Sequence, residues 1–340
     1  MKYLYVLVSS PKDIYYELFL LSATSLKLLM PHSDIVLLCD SKTMKTLTGK
    51  RSGYEKLVSK VITADAPSEM SQVEVSRWVK TSMRRLVSGD FLFIDCDTII
   101  TGELSSITSL GVQFAACLDK HFLLDRHNKR NDIIEKEKLL GFNSWYSNRH
   151  FNSGVIFCVD TPEIHKIFNR WHELWLFGKS KNIVRDQISF NMAIYENSTY
   201  FTELDGTWNC QITFNGLPYL INSKIIHYFA SDLTLHTSPF HFASEEISKK
   251  IKNTGTIPDE TLELLKNPRS AFVSESRIIA GEDMLFVINS SFFEMILWIK
   301  QKIPYLFHFL NLLSSTIKKI GKGVFVRKNR KKDGGIKFYN

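Results

Sequence analysis

The chain has 340 residues, 44% of them hydrophobic and 23% charged, a mixture that excludes a disordered, collagen-like or disulfide-scaffold protein. Its length allows one large domain with an appendage, or two ordinary domains. The net charge of +8 belongs to the end of the chain: from Lys318 to Lys337 nine basic residues stand against one acid, Asp333, which leaves a neutral body and gives no sign of a nucleic-acid-binding domain.

Residues 3–8 read as a strand, Tyr16 to Leu29 as an amphipathic helix ending at Pro31, and 35–39 and 57–62 as two further strands. The first run is too short for a secretory signal and passes at once into Ser9, Ser10, Pro11, Lys12 and Asp13, so a cytoplasmic location is expected. Residues 69–87 read as a helix. The fully apolar run Phe91-Leu92-Phe93-Ile94 is that of a strand covered on both faces. Strands are expected again at 112–118, 154–159 and 224–229. Thr161 and Pro162 suit the cap and first position of a helix whose residues Ile164, Ile167, Phe168, Trp171, Leu174 and Trp175 form one packing stripe. This alternation predicts an α/β fold with a mostly parallel sheet, in which ligands bind at the carboxyl ends of strands. Cys39, Cys96, Cys117, Cys158 and Cys210 are odd in number and form no C-x-x-C pair, which reads as free thiols in a reducing compartment.

The segment that carries chemistry is Asp95-Cys96-Asp97, directly after the 91–94 strand. On a regular strand alternate side chains face the same way, so the two carboxylates would converge at the sheet edge. Convergent carboxylates repel unless a cation lies between them, and oxygen ligands favour Mg²⁺ or Mn²⁺. A haloacid-dehalogenase-type phosphohydrolase also uses D-x-D after a strand, but there the motif opens the fold and carries Thr or Val where this chain has Ile99.

Four blocks in order resemble the GT-A fold nucleotide-sugar glycosyltransferases, especially the glycogenin and lipopolysaccharide galactosyltransferase group. They are Ser76-Arg77-Trp78-Val79-Lys80-Thr81, the segment Phe91 to Ile100, Phe151-Asn152-Ser153-Gly154-Val155-Ile156-Phe157, and Asp186-Gln187 opening a helix. The resemblance covers residues 2–230 and implies a Rossmann-like, mixed but mostly parallel sheet flanked by helices. It implies Mn²⁺ (or Mg²⁺) held by Asp95, Asp97 and His227, the last matching a late-strand histidine of the group. His236 and His241 are nearby rivals.

The resemblance also places Arg77, Lys80, Asp95, Asn152, Ser153 and Asp119 at a nucleotide-sugar donor, expected to be a UDP-sugar, and Asp186 and Gln187 beside the anomeric carbon. Trp208-Asn209 matches a further element of the group. Each residue has a plainer reading: Arg77 as part of a solvated basic face with Arg84 and Arg85, Asn152-Ser153-Gly154 as a turn, Asp186 as a helix-start residue. The chain departs from the pattern after His227, where Tyr228-Phe229-Ala230-Ser231-Asp232 replaces the family's G-x-K-P-W, and near the first strand, where its T-x-D is missing.

Residues 283–299 and 303–313 are apolar but too interrupted to span a bilayer. Phe307, Leu310, Leu313 and Ile317 form a stripe that runs into the basic cluster, the composition of a segment lying on an anionic membrane surface. The expected organisation is a catalytic domain at 1–245, a helical region at 246–317 and a basic tail at 318–340. The expected activity is metal-dependent transfer from a nucleotide sugar to a saccharide or lipid-linked acceptor. The setting would be bacterial surface polysaccharide or lipopolysaccharide synthesis at the inner face of the membrane, with retention at the anomeric carbon and without nucleic acid. The readings set against it are the phosphohydrolase and a non-catalytic membrane- or nucleic-acid-binding protein that uses the tail.

Overall fold

Each apolar run expected between residues 3 and 118 forms a strand of one sheet in the computed structural model, which describes residues 1–127, 129–142, 147–228, 241–272, 287 and 290–314. The strands are β1 (Lys2–Leu7), β2 (Asp34–Cys39), β3 (Lys60–Thr63), β4 (Phe91–Ile94) and β6 (Phe114–Leu118). The expected 57–62 strand is displaced to β3 because Gly53–Lys56 forms a 3-10 turn with Leu57 as its cap. The sheet is completed by β7 (Phe151–Cys158) and β8 (Phe201–Leu204), in the order β3-β2-β1-β4-β7-β6-β8. Its pairs are parallel except where β7 runs antiparallel to both β4 and β6. A second sheet joins β5 (Thr98–Ile100), β10 (Ile225–His227) and β9 (Cys210–Gln211).

Alternation along β1 and β4 builds a core on each face. Tyr3, Tyr5, Leu7, Leu92 and Ile94 face α1 (Tyr15–Leu29), whereas Leu4, Phe91 and Phe93 face α3 (Gln72–Leu86) and α5 (Pro162–Ser180). Helix α3 opens with a capping box between Ser71 and Glu74. In α5 the six stripe residues are all buried, and Pro162 stands in the first turn as expected. Thr161 is the N-cap in extended conformation, as expected, although its side chain makes no capping bond.

Elements without a clear sequence signal include the short strands β5 and β9, the edge strand β8, the short helix α2 (Ser41–Thr46) capped by Asp40, and the highly charged helix α4 (Arg130–Leu139). Helix α6 (Gln187–Glu196) begins beside Asp186. All five cysteines are free; Cys96 is half-buried and the others are buried.

Contacts divide the chain into Met1–Ile279 and Ala280–Asn340. The boundary at 245/246 expected from composition lies inside the first unit, whose core includes Ile247 and Ile251 of α7 (Glu245–Thr254), Leu265 of α8 (Asp259–Lys266), and Phe272. The second unit contains α9 (Ser291–Lys302) and a helix at 304–314, α10, neither with a buried residue. Phe292, Met295, Trp298, Tyr305, Phe309 and Leu312 are exposed on these two helices. No helix among the described residues is long and apolar enough to cross a membrane.

Candidate metal centre and active site

Strand β4 ends at Ile94, and the chain bends through Asp95, Cys96 and Asp97 before entering β5 in the second sheet. The two carboxylates therefore converge across a bend and not, as the strand-periodicity argument expects, along one regular strand. Thr98 holds the bend by donating from Oγ1 to the Asp95 carbonyl at 2.8 Å. Asp95 N–H reaches the Gly154 carbonyl of β7 at 2.8 Å. Pairing of β10 with β5 sets His227 opposite Thr98, and Tyr228 N–H bonds the Asp97 carbonyl at 3.1 Å. That register brings a histidine 130 residues downstream to the carboxylate pair. One ligand atom from each of Asp95, Asp97 and His227 lies within 4.8 Å of the others.

The charges at this point are strongly perturbed. Burial and the neighbouring Asp97 carboxylate raise the Asp95 pKa against the pull of Lys80. Asp97 is also pushed up by burial, but His227 outweighs that and holds its pKa below the ordinary value. His227 Nε2 lies 3.2 Å from Asp97 Oδ1. Two carboxylates and an imidazole form a donor set that suits a first-row divalent cation such as Mn²⁺. The surrounding space fits as well: a Cβ at Gly154 would stand 2.5 Å from His227 Cε1 and 2.9 Å from Asp95 Oδ2. Glycine keeps open the room in front of both ligands.

On the α3 side, Lys80 is buried with its Nζ 3.3 Å from Asp95 Oδ1, 3.4 Å from Ser153 Oγ and 3.7 Å from Asp186 Oδ2. Arg77 Nε lies 3.1 Å from Asp186 Oδ1, and Ser153 Oγ donates to Asp186 Oδ2 at 3.1 Å. Asp186 thus spends its oxygens on two cations and a hydroxyl; it stands at the N-cap of α6, as a helix-start residue would, but makes no side-chain capping bond there. Burial raises its pKa, yet Lys80 and Arg77 prevail and keep it low, as an anion. Arg84 is buried too, bonded to the carbonyls of Val87 and Gly89, so of the basic face expected from Arg77, Arg84 and Arg85 only Arg85 is exposed.

Asn152 and Ser153 lie inside β7 and not in a turn, so that strand begins three residues before the expected 154. Gln187 Oε1 stands 3.4 Å from both Ser153 N and Asn152 Nδ2. Behind them Asn152 Nδ2 donates to Asp119 Oδ1 at 2.9 Å, and His127 Nε2 stands 2.9 Å from Asp119 Oδ2. Asn209 Nδ2 donates to Asn152 Oδ1 at 3.0 Å, while Asn209 Oδ1 is 3.1 Å from His227 Nδ1. His127 had no local sequence signal: it follows a short 3-10 turn and meets its partner only in the fold. His241 bonds Thr261 and belongs to no cluster with the carboxylates; His236 lies outside the described residues. A separate cavity of about 940 Å³ lies along β8, lined by Phe142, Arg149, Tyr195, Phe201 and Glu203 among others, and none of the residues expected at the site lines it.

The description of glycosyl transferase family 8 matches residues 88–232, a stretch that contains the carboxylate pair, β7, Asp186 and His227. No curated protein matches the chain. Among solved structures, the bifunctional glycosyltransferase WbbM shares the fold with a TM-score of 0.50 at 14% identity, over 78% of this chain and 51% of its own. The chain thus spans about half the length of that protein. Similar in part are the galactosyltransferase LgtC in complex with donor and acceptor sugar analogs (TM-score 0.47, 14% identity, 76% of this chain and 98% of that one) and mouse xyloside xylosyltransferase 1 (0.46, 13%, 68% and 98%).

Proposed function

We propose that this chain, whose residues 88–232 match the description of glycosyl transferase family 8, is a glycosyltransferase that carries out divalent-cation-dependent transfer of a sugar from a nucleotide sugar, a UDP-sugar first, to a saccharide or lipid-linked acceptor. The observation that carries this reading is the convergence of Asp95, Asp97 and His227 at the end of β4. These three residues would hold Mn²⁺ or Mg²⁺, whose charge offsets that developing on the departing diphosphate.

The remaining groups divide the work. Arg77 and Lys80 are cations set between the metal ligands and Asp186, placed to meet donor phosphate or sugar oxygens by exchanging their present carboxylate partners. Asn152 and Ser153 offer an amide and a hydroxyl to sugar oxygens. Asp186, held as an anion, and Gln187 flank the place where the bond from the anomeric carbon to phosphate breaks and the bond to the acceptor oxygen forms. An anion there stabilises positive charge building on the sugar. Retention at the anomeric carbon is part of this reading. Catalysis is assigned to residues 1–245, which contain every group named.

The acceptor class follows from the second unit. Exposed aromatic and aliphatic side chains on α9 and α10 precede the nine basic residues of the tail, a combination suited to an anionic membrane face and to acceptors carried there, such as precursors of surface polysaccharide or lipopolysaccharide. The test is a panel of nucleotide sugars, each scored for protection against thermal unfolding and for slow hydrolysis, with and without Mn²⁺. One donor protecting only in the presence of metal supports the proposal. Protection of none, with release of phosphate from simple phosphomonoesters, would favour the phosphohydrolase.

A further inference from the structure

Resting on the metal reading above, we propose that His127, Asp119, Asn152 and Asn209 form a positioning chain that presents Nε2 of His227 to the cation, and that Asp119 serves this chain instead of contacting the donor sugar. His127 Nδ1 accepts the Lys129 backbone N–H at 3.1 Å, so its ring proton sits on Nε2 and points at Asp119 Oδ2, 2.9 Å away. An ionised carboxylate only accepts, and the opposing effects of burial and the His127 hydrogen bond resolve in favour of an ionised Asp119. Its other oxygen takes the amide nitrogen of Asn152.

With that nitrogen committed, the Asn152 carbonyl faces the other way. It accepts Gly154 N–H at 2.9 Å and the Asn209 amide nitrogen at 3.0 Å. The Asn209 carbonyl is then turned to His227 Nδ1 at 3.1 Å, where only a donor makes a hydrogen bond. The Nδ1 proton is thereby fixed, so the proton that Nε2 shares with Asp97 Oδ1 at 3.2 Å is the one a cation displaces, and Nε2 is the atom left to ligate it. His127, Asp119, Asn152, Asn209 and His227 are each no more than 5% exposed, so water does not replace a missing link. Every bond has one permitted direction, and those on the path from His127 to the metal ligand agree. Asp119 is 5% exposed and each of its oxygens already accepts a bond on this path, so burial keeps it away from a sugar hydroxyl.

Two readouts on the full chain test the proposal: Mn²⁺ affinity of the metal-free protein, from free Mn²⁺ counted by electron paramagnetic resonance, and the His227 tautomer, from ¹⁵N NMR at a pH where the ring is neutral. Asn209→Leu should lose about 10–100-fold in Mn²⁺ affinity, the range for partners that orient a metal-bound histidine, and should show both tautomers. His127→Phe should move both readouts in the same direction by less. His127→Gln keeps a donor for Asp119 and should restore them, a rescue that bulk destabilisation would not give. Wild-type Mn²⁺ affinity and a pure Nδ1–H tautomer in both Asn209→Leu and His127→Phe would overturn the chain. So would variants with unchanged metal affinity that lose only donor binding at saturating Mn²⁺, which would return Asp119 to the sugar. If the wild-type protein binds no Mn²⁺, the metal reading fails on its own, and a tautomer that differs between wild type and Asn209→Leu still establishes the chain.

Discussion

Replacing Gly154 with alanine puts a methyl group where three atoms of the site already stand. The new Cβ would lie 2.5 Å from His227 Cε1, 2.9 Å from Asn152 Oδ1 and 2.9 Å from Asp95 Oδ2, whereas ordinary contact begins at 3.4 Å. The backbone is not the obstacle, since Gly154 is not among the residues with positive φ. The whole effect is steric. The His227 ring is 2% exposed and held at both nitrogens, so relief requires moving ligand atoms by roughly 1 Å, a misplacement that costs on the order of 100-fold in rate. Overpacking of this kind destabilises by about 1–3 kcal/mol, and each kcal/mol lowers the melting temperature of a domain this size by about 2–4 °C. Gly154→Ala should therefore melt only modestly lower by circular dichroism, yet lose Mn²⁺ affinity and at least about 100-fold in kcat/KM. An alanine variant that binds Mn²⁺ and transfers sugar as the wild type does would refute the claim that this cradle is shaped around a cation.

Three further expectations follow from the same geometry. Asp186→Asn should reduce transfer far more than donor binding measured by calorimetry; equal loss of both, with a lowered melting temperature, would make Asp186 a structural anchor for Arg77 and Lys80. Burial holds the rings of His121, His150 and His172 at a pKa of about 4, against an ordinary 6.5. A depressed imidazole pKa means that the unfolded chain takes up the proton first, so stability falls as pH drops from 6.5 to 4, by up to about 1.4 kcal/mol per pH unit for each ring. His150, 1% exposed, is the cleanest case. His150→Leu should flatten the pH dependence of urea unfolding in that window, and an unchanged slope would contradict the assignment. Truncation after Ile279 should abolish binding to anionic vesicles while sparing turnover of a small soluble acceptor. In the full-length protein high salt should weaken that binding without eliminating it, since screening acts on the basic residues and not on Phe292, Trp298 or Phe309. Equal vesicle binding by the truncated and intact chains would rule out attachment through this end.

The parts of the fold legible in the sequence are those whose stability is local or one-dimensional. Apolar runs such as 35–39 and 91–94 can only be strands covered on both faces, and the Ile164 to Trp175 stripe can only pack inward. Edge strand β8 lacks such a run, because Thr202 and Glu203 are exposed, and charged α4 has no long apolar stripe. Asn152-Ser153-Gly154 misled for a different reason. Polar residues followed by glycine suit a turn, but here Asp119, Asp186 and Asn209, all distant in sequence, satisfy them inside a strand. The D-x-D motif was legible as a carboxylate pair, although the bend into β5 brings its members together where strand alternation was expected to. His127 matters only through Asp119, and nothing in residues 119–127 marks that pairing before the 3-10 turns fold the segment back.

The most direct test compares Mn²⁺ bound per chain in the wild type and in Asp97→Asn, together with transfer from the best nucleotide sugar before and after chelation. The account predicts one tightly bound Mn²⁺ in the wild type, its loss in an Asp97→Asn variant that melts as the wild type does, and no transfer in either chelated protein. Wild-type Mn²⁺ affinity in Asp97→Asn, or transfer that continues after chelation, would contradict it.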